Sequence, residues 1–220
     1  MIELYGYWRS VATLRVRIAL NMKALAYEET SVDLAEGAQH DERFLAINPN
    51  GSVPALVVDD EPAITQSLAI LEYLEEAFPV PPLLPADALG RARVRAIGLL
   101  LAADYHPVLT PRVVRRLTED FQASAAQRAA WVRRWFRDGL VQAEARLMGD
   151  TATERFCHGD APSIADICLV SHAVVGAEFG AECSDLPTVN RIVATCRQIA
   201  AFADALPHRQ PGAPALNPRG

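Results

Sequence analysis

Residues 2–24 read IELYGYWRSVATLRVRIALNMKA, and the change of period inside this stretch decides the fold. IELYGY alternates apolar and polar positions, the two-residue period of a strand with one buried face. From Ala12 the period lengthens, and Leu14, Ile18 and Met22 recur every four residues along one face of a helix. A strand therefore turns into a helix through a loop that carries Arg9 and Ser10.

The pattern continues outward. AYEETSVDL (26–34) reads as a second strand and Asp41 to Ile47 as a short helix. VPALVVDD followed by EPAIT (53–65) reads as a hairpin turning at Asp59-Asp60, and QSLAILEYLEEAF (66–78) as an amphipathic helix. The order β-α-β-α-β-β-α predicts a mixed four-stranded sheet with helical cover over residues 1–80.

PVPPLLPADALG (79–90) is dense in proline, which lacks the N–H that helix and sheet interiors need, so 81–90 is expected to be a linker. Beyond it the periodicity is helical at 90–118 and 124–148, and again from Ser163 and from Leu186. An all-helical second domain over 91–212 is the expectation, with 213–220 as a loose proline-rich tail. In PSIAD, Ser163 stands three residues ahead of Asp166, the spacing of a capping box. Trp131 and Trp135 lie four apart on one helix face and are expected in the core.

A net charge of −6 and a pI near 5.4 give no field to draw the chain onto nucleic acid or anionic lipid. The N-terminus carries Glu3 where a signal peptide needs an apolar run, and no stretch has the length of a membrane span, so a cytoplasmic protein is expected. The four cysteines, Cys157, Cys168, Cys183 and Cys196, form no Cys-x-x-Cys pair and read as buried thiols, and no metal site is expected. Neither a P-loop nor a GxGxxG signature is present.

Three features of the first 80 residues point to a peptide-like anionic ligand. Pro54, in Ser52-Val53-Pro54, either simply begins a strand or leaves Val53 with a free N–H and C=O for an extended ligand backbone. Gln66 and Ser67 open a helix directly after a strand, where unpaired N–H groups and the positive end of the helix dipole suit a carboxylate; an ordinary N-cap serine is the plainer alternative. Ser10 is either a helix cap or a hydroxyl aimed at a ligand thiolate.

Over nearly its whole length the chain resembles the cytosolic glutathione transferases, and most closely the zeta class of maleylacetoacetate and maleylpyruvate isomerases. The matching segments are YWRS with RVRIALN, INPNGSVPAL, QSLAILEYLEE, PPLLPAD, Arg93-Val94-Arg95, ADICLV and the late RQP. The resemblance implies a thioredoxin-like N-terminal domain, a helical C-terminal domain, glutathione as cofactor and a homodimer. It implies that Val53 pairs with the cysteinyl backbone of glutathione beside a cis Pro54, that Gln66 and Ser67 hold the γ-glutamyl carboxylate, and that the catalytic Ser10 faces the sulfur. Arg9, with His106 and Arg112 in DYHPVLTPR, would bind a small electrophilic acid, whereas Arg115 and Arg116 read as a solvated face. Three positions depart from the zeta pattern: Val11 and Ala12 replace a serine and a cysteine, and Glu178 replaces a carboxylate-binding arginine.

The activity so implied is glutathione-dependent cis–trans isomerisation, or transfer of glutathione to small electrophilic acids. Two other readings stand beside it: a transferase or dehalogenase for neutral electrophiles, and a glutathione-binding interaction module without catalysis.

Overall fold

β1 (Ile2–Gly6) buries alternate residues, Ile2, Leu4 and Gly6, as its two-residue period requires. It pairs in parallel with β2 (Glu28–Ser31), and α1 (Val11–Met22) makes the crossover between them. β3 (Ala55–Val58) runs antiparallel to β1, and β4 (Ile64–Thr65) antiparallel to β3, giving the order β2-β1-β3-β4. This is the predicted mixed sheet. α2 (Glu42–Ile47) and α3 (Ser67–Ala77) complete the predicted series.

The computed structural model describes residues 1–59 and 61–214. Asp60 of the expected turn and residues 215–220 of the expected tail lie outside the described residues. Asp59 enters the turn with a left-handed φ of 53°.

α1 departs from the amphipathic helix that its four-residue spacing predicts. Every residue from Val11 to Leu20 is buried, Arg15 and Arg17 included, while Met22 is half-buried. A helix covered on all sides has no solvent face, so its two arginines must find partners inside. Lys23, just past its end, is buried as well, and its Nζ donates to Glu75 Oε2 at 2.9 Å and to the carbonyls of Phe78 and Pro81 at 2.6 and 2.7 Å.

The chain divides into two compact units, one formed by Met1–Pro82 with the segment from Ala200 onward, the other by Leu83–Ile199. The expectation that the helical domain continues to 212 fails at this end. α9 (Ala200–Ala203) packs on α1, with Phe202 fully buried and Asn21 Nδ2 donating to the Ala201 carbonyl at 3.1 Å.

The second unit begins inside the proline-rich stretch. Leu83 and Leu84 are buried, and Ile164 N–H donates to the Leu83 carbonyl at 3.0 Å, so the expected linker 81–90 contains the unit boundary, and from Leu83 onward it is part of the second unit. α4 (Ala88–Leu99) starts within it, its N-cap Asp87 accepting from Gly90 N–H at 2.7 Å. The periodic stretch 90–118 is not one helix. After α4 come a π-turn, Leu100–Tyr105, a 3-10 turn, His106–Leu109, and α5 (Pro111–Glu119). Pro107 and Pro111 lack the N–H that a continuous helix would need, and Pro111 occupies the first turn of α5.

α6 (Ala125–Leu147) opens with a capping box between Ser124 and Gln127. α7 (Ile164–Glu178) is buried on nearly every side and forms the core of the unit, and α8 (Pro187–Cys196) covers it. At the start of α7, Asp166 Oδ2 accepts from both the N–H and the hydroxyl of Ser163, at 2.9 and 2.8 Å, the structural pairing expected of PSIAD. Arg93 ties α4 to the loop before α7 through Asp150, Thr153 and the Cys157 carbonyl. The rings of Trp131 and Trp135 lie 5.6 Å apart, tilted by 54°, but are half-buried, not core residues; the Trp131 indole is satisfied by the Val108 carbonyl at 2.9 Å.

Candidate active site

Strand register brings three loops of the first unit to one end of the sheet. Tyr5, near the end of β1, lies opposite Ala55, which begins β3, and Ala55 lies opposite Thr65, which ends β4. The segments that continue from these residues carry Ser10, Val53-Pro54 and Gln66-Ser67.

Ser10 is the N-cap of α1, with φ −75° and ψ 123°. Its Oγ accepts from Thr13 N–H at 3.2 Å, which satisfies one orphan donor of the helix. The two readings of Ser10 are thus compatible: the cap uses a lone pair, and the hydroxyl hydrogen is left to donate. Ahead of it, the guanidinium of half-buried Arg9 lies 5.3 Å from the Trp8 ring centre, and the His208 ring centre lies 5.6 Å from that of Trp8. The loop is tied from below by Arg17, whose Nη1 donates to the Trp8 carbonyl at 3.2 Å while Nε and Nη2 hold the Glu29 carboxylate at 2.7 and 2.5 Å.

The Val53–Pro54 bond is cis. Among the described residues, neither the N–H nor the C=O of Val53 makes a backbone hydrogen bond. The approach to it is shaped by buried Asn48, whose Nδ2 donates to the Ser52 carbonyl at 2.6 Å and whose Oδ1 accepts from Asn50 N–H at 3.1 Å. That geometry fits an extended peptide backbone added alongside Val53.

Gln66 is exposed, with φ 69° and ψ 113°, a conformation that costs a non-glycine residue on the order of 1–3 kcal/mol. The turn aims Ser67 into the first position of α3. No side chain caps this helix, in contrast to α1, so its leading N–H groups are available to an anion. Ser67 is 7% exposed, and its Oγ accepts from Nη1 of Arg15 at 3.2 Å.

The remaining candidates belong to the second unit. His106 is half-buried at the head of its 3-10 turn, and Arg112 is exposed in the first turn of α5. Arg115 and Arg116 pair with Glu119 and Asp120 along an exposed face, the solvated arrangement predicted for them. Glu178 is exposed at the last residue of α7. Among the described residues, no cluster of three His, Cys, Asp or Glu is placed to hold a metal ion, and no helix is long and apolar enough to cross a membrane.

Ser10, Val53, Gln66 and Ser67 thus lie on segments at one end of one sheet. Arg15, Arg17 and Asn48, which hold them, escaped the sequence reading. The available signal was Arg15-Val16-Arg17 itself: two cations two apart on a helix point to nearly opposite sides, so they cannot share one solvent face.

The family described as glutathione S-transferase, N-terminal domain, matches residues 1–76. A probable maleylacetoacetate isomerase of Vibrio cholerae is 41% identical over 212 residues, which cover 96% of this chain and 97% of that protein. The crystal structure of a maleylacetoacetate isomerase from Methylobacterium extorquens AM1, with bound malonate and glutathione, superposes with a TM-score of 0.94 at 48% identity, covering 97% of this chain and all of the other. A holo maleylpyruvate isomerase, a bacterial glutathione S-transferase of the zeta class, superposes at 0.92 with 37% identity over 96% of this chain and all of the other.

Proposed function

Because the chain belongs to the zeta class of the glutathione S-transferases, we propose that it is a glutathione-dependent cis–trans isomerase of small unsaturated diacids of the maleylacetoacetate or maleylpyruvate type. The observation that carries the reading is Ser10: a hydroxyl at a helix N-terminus whose acceptor side is used by Thr13 and whose hydrogen is left to donate.

The residues fit glutathione as they stand. An open backbone at Val53 suits the cysteinyl unit, and an uncapped helix start at Gln66-Ser67 suits the γ-glutamyl carboxylate. When bound, glutathione would supply a thiolate, a nucleophile able to add reversibly to a cis double bond and so to allow its isomerisation. Ser10 donates to that sulfur, and the α1 N-terminus adds its positive end. A thiol of pKa about 8.5 is only about 3% ionised at pH 7, and lowering it by about two units requires roughly 2.7 kcal/mol. A hydrogen bond to a charged acceptor contributes about 1.5–3 kcal/mol and the helix terminus up to about 1, so Ser10 suffices without the hydroxyl and thiol lost at Val11 and Ala12. Arg9, His106 and Arg112 are assigned to the substrate's carboxylates. A cytoplasmic homodimer completes the reading.

The test is an ultraviolet difference titration of bound glutathione against pH, together with an isomerisation assay on a maleyl substrate. A thiolate present near neutral pH with isomerase turnover is the expected result. A bound thiolate without isomerisation overturns the substrate assignment, and binding without thiolate or turnover leaves a binding module.

Glu178 favours a second reading, in which the acceptor is a neutral electrophile and no carboxylate is bound at that position. Faster turnover of a neutral halogenated acceptor than of maleyl compounds, with Glu178→Arg raising only the isomerase rate, would establish it.

A further inference from the structure

Ser67 is held by a cation that no solvent reaches. Arg15 lies in the second turn of α1, 1% exposed, and its Nη1 donates to Ser67 Oγ across the α1–α3 contact at 3.2 Å. A guanidinium has donors only, so the serine oxygen is the acceptor in this bond. The hydrogen of Ser67 must then leave on another line, and the serine stands at the head of an uncapped helix.

We propose that Arg15 is a positioning residue for the ligand carboxylate, one that fixes the Ser67 hydroxyl as a donor toward the anion and places a buried positive charge behind it. This rests on the reading of Ser67 as a γ-glutamyl carboxylate ligand. Without Arg15 the hydroxyl is free to turn, and a donor has to be oriented anew at each binding event. With it, the donor is set before the ligand arrives, and the polarised O–H makes a stronger bond to a carboxylate.

The neighbouring cation has a different task. Arg17 spends its guanidinium on Glu29 and on the Trp8 carbonyl, two residues before Ser10. The two arginines of one helix therefore brace the two ends of the cradle, Arg17 at the sulfur and Arg15 at the carboxylate.

The experiment measures the dissociation constants of glutathione and of its γ-glutamyl α-amide, by calorimetry, for the wild type, Ser67→Ala, Arg15→Met, Arg15→Lys and the Ser67→Ala/Arg15→Met pair. Circular dichroism and melting curves of the free proteins report folding independently. Wild type is expected to prefer the carboxylate over the amide, and Ser67→Ala and Arg15→Met each to reduce that preference by roughly tenfold. The pair is expected to be no worse than either single change, because the arginine acts through the serine.

Arg15→Lys keeps the charge but loses the planar fork, so an intermediate preference is expected, and this variant carries the test should Arg15→Met not fold. An unchanged preference in Ser67→Ala would overturn the reading of Ser67 itself. A reduced preference in Ser67→Ala with none in Arg15→Lys or Arg15→Met, or additive losses in the pair, would overturn the role of Arg15 alone. A melting shift with the preference intact would mark Arg15 as structural only.

Discussion

Thr13 N–H donates to Ser10 Oγ at 3.2 Å, so the residue that starts α1 is also the one we propose as donor to the ligand sulfur. Cap and hydroxyl donor can be separated by substitution. Ser10→Ala removes both, and is expected to cost about 1 kcal/mol of stability and to lower turnover by roughly tenfold or more. Ser10→Asp keeps an N-cap acceptor for Thr13 but sets an anion against a thiolate. Its melting temperature should stay near wild type while turnover falls at least as far as in Ser10→Ala. Wild-type turnover in Ser10→Asp would show that the serine only caps the helix.

Gly6 ends β1 against side chains of α1 and β2. A Cβ there would lie 2.4 Å from Thr13 Cγ2 and 2.6 Å from Glu29 Oε1. Neither neighbour can yield easily, because the Glu29 carboxylate is gripped by Arg17 and Thr13 is buried. Gly6→Ala is expected to cost about 1–3 kcal/mol, and each kcal/mol corresponds to roughly 2–4 °C for a chain of this size. A calorimetric scan measures it, and an unchanged melting temperature would mean that the loop relaxes without loss.

The sheet and its helices were legible because each element of residues 2–78 has a period of its own and a clear break before the next. Ser10, Val53 and Gln66-Ser67 were legible because they stand at those breaks. The arginines beneath them were not, since periodicity assigns charged residues to a solvent face and α1 has none. The path of the chain from Ala200 was hidden for a related reason: Phe202 looks the same in sequence whether it is buried against the preceding helices or against α1. Likewise the prolines at 107 and 111 interrupt a helical stretch whose apolar spacing continues across them.

Lys23 has its three donors fully used by Glu75 and the carbonyls of Phe78 and Pro81. Lys23→Met removes the cation from a buried ion pair, and breaking such a pair costs about 3–5 kcal/mol. The double variant Lys23→Met/Glu75→Gln should be less destabilised than the sum of its two single variants, because the residues are in direct contact. Chemical denaturation of the four proteins gives the coupling, and strict additivity would show that the pair contributes through packing alone.

Burial sets the chemistry of the cysteines. Cys157, Cys168 and Cys196 are enclosed, and Cys183 is half-buried. Burial pushes the Cys157 and Cys196 thiols well above their ordinary value near 9.0, with the Asp166 carboxylate adding to the effect. Burial raises the Cys183 thiol too, with the Arg137 cation opposing the rise, but its partial exposure makes it the thiol that a reagent at about pH 8 is expected to modify first, the other three only on unfolding. The same shift fixes a pH dependence. The folded state binds these protons more tightly than the unfolded chain, so the contribution to stability is complete below about pH 9 and is lost as pH rises toward the raised folded values. Cys157→Ala should flatten the alkaline decline of the melting temperature above about pH 9, and a decline as steep as that of wild type would mean that other groups cause it.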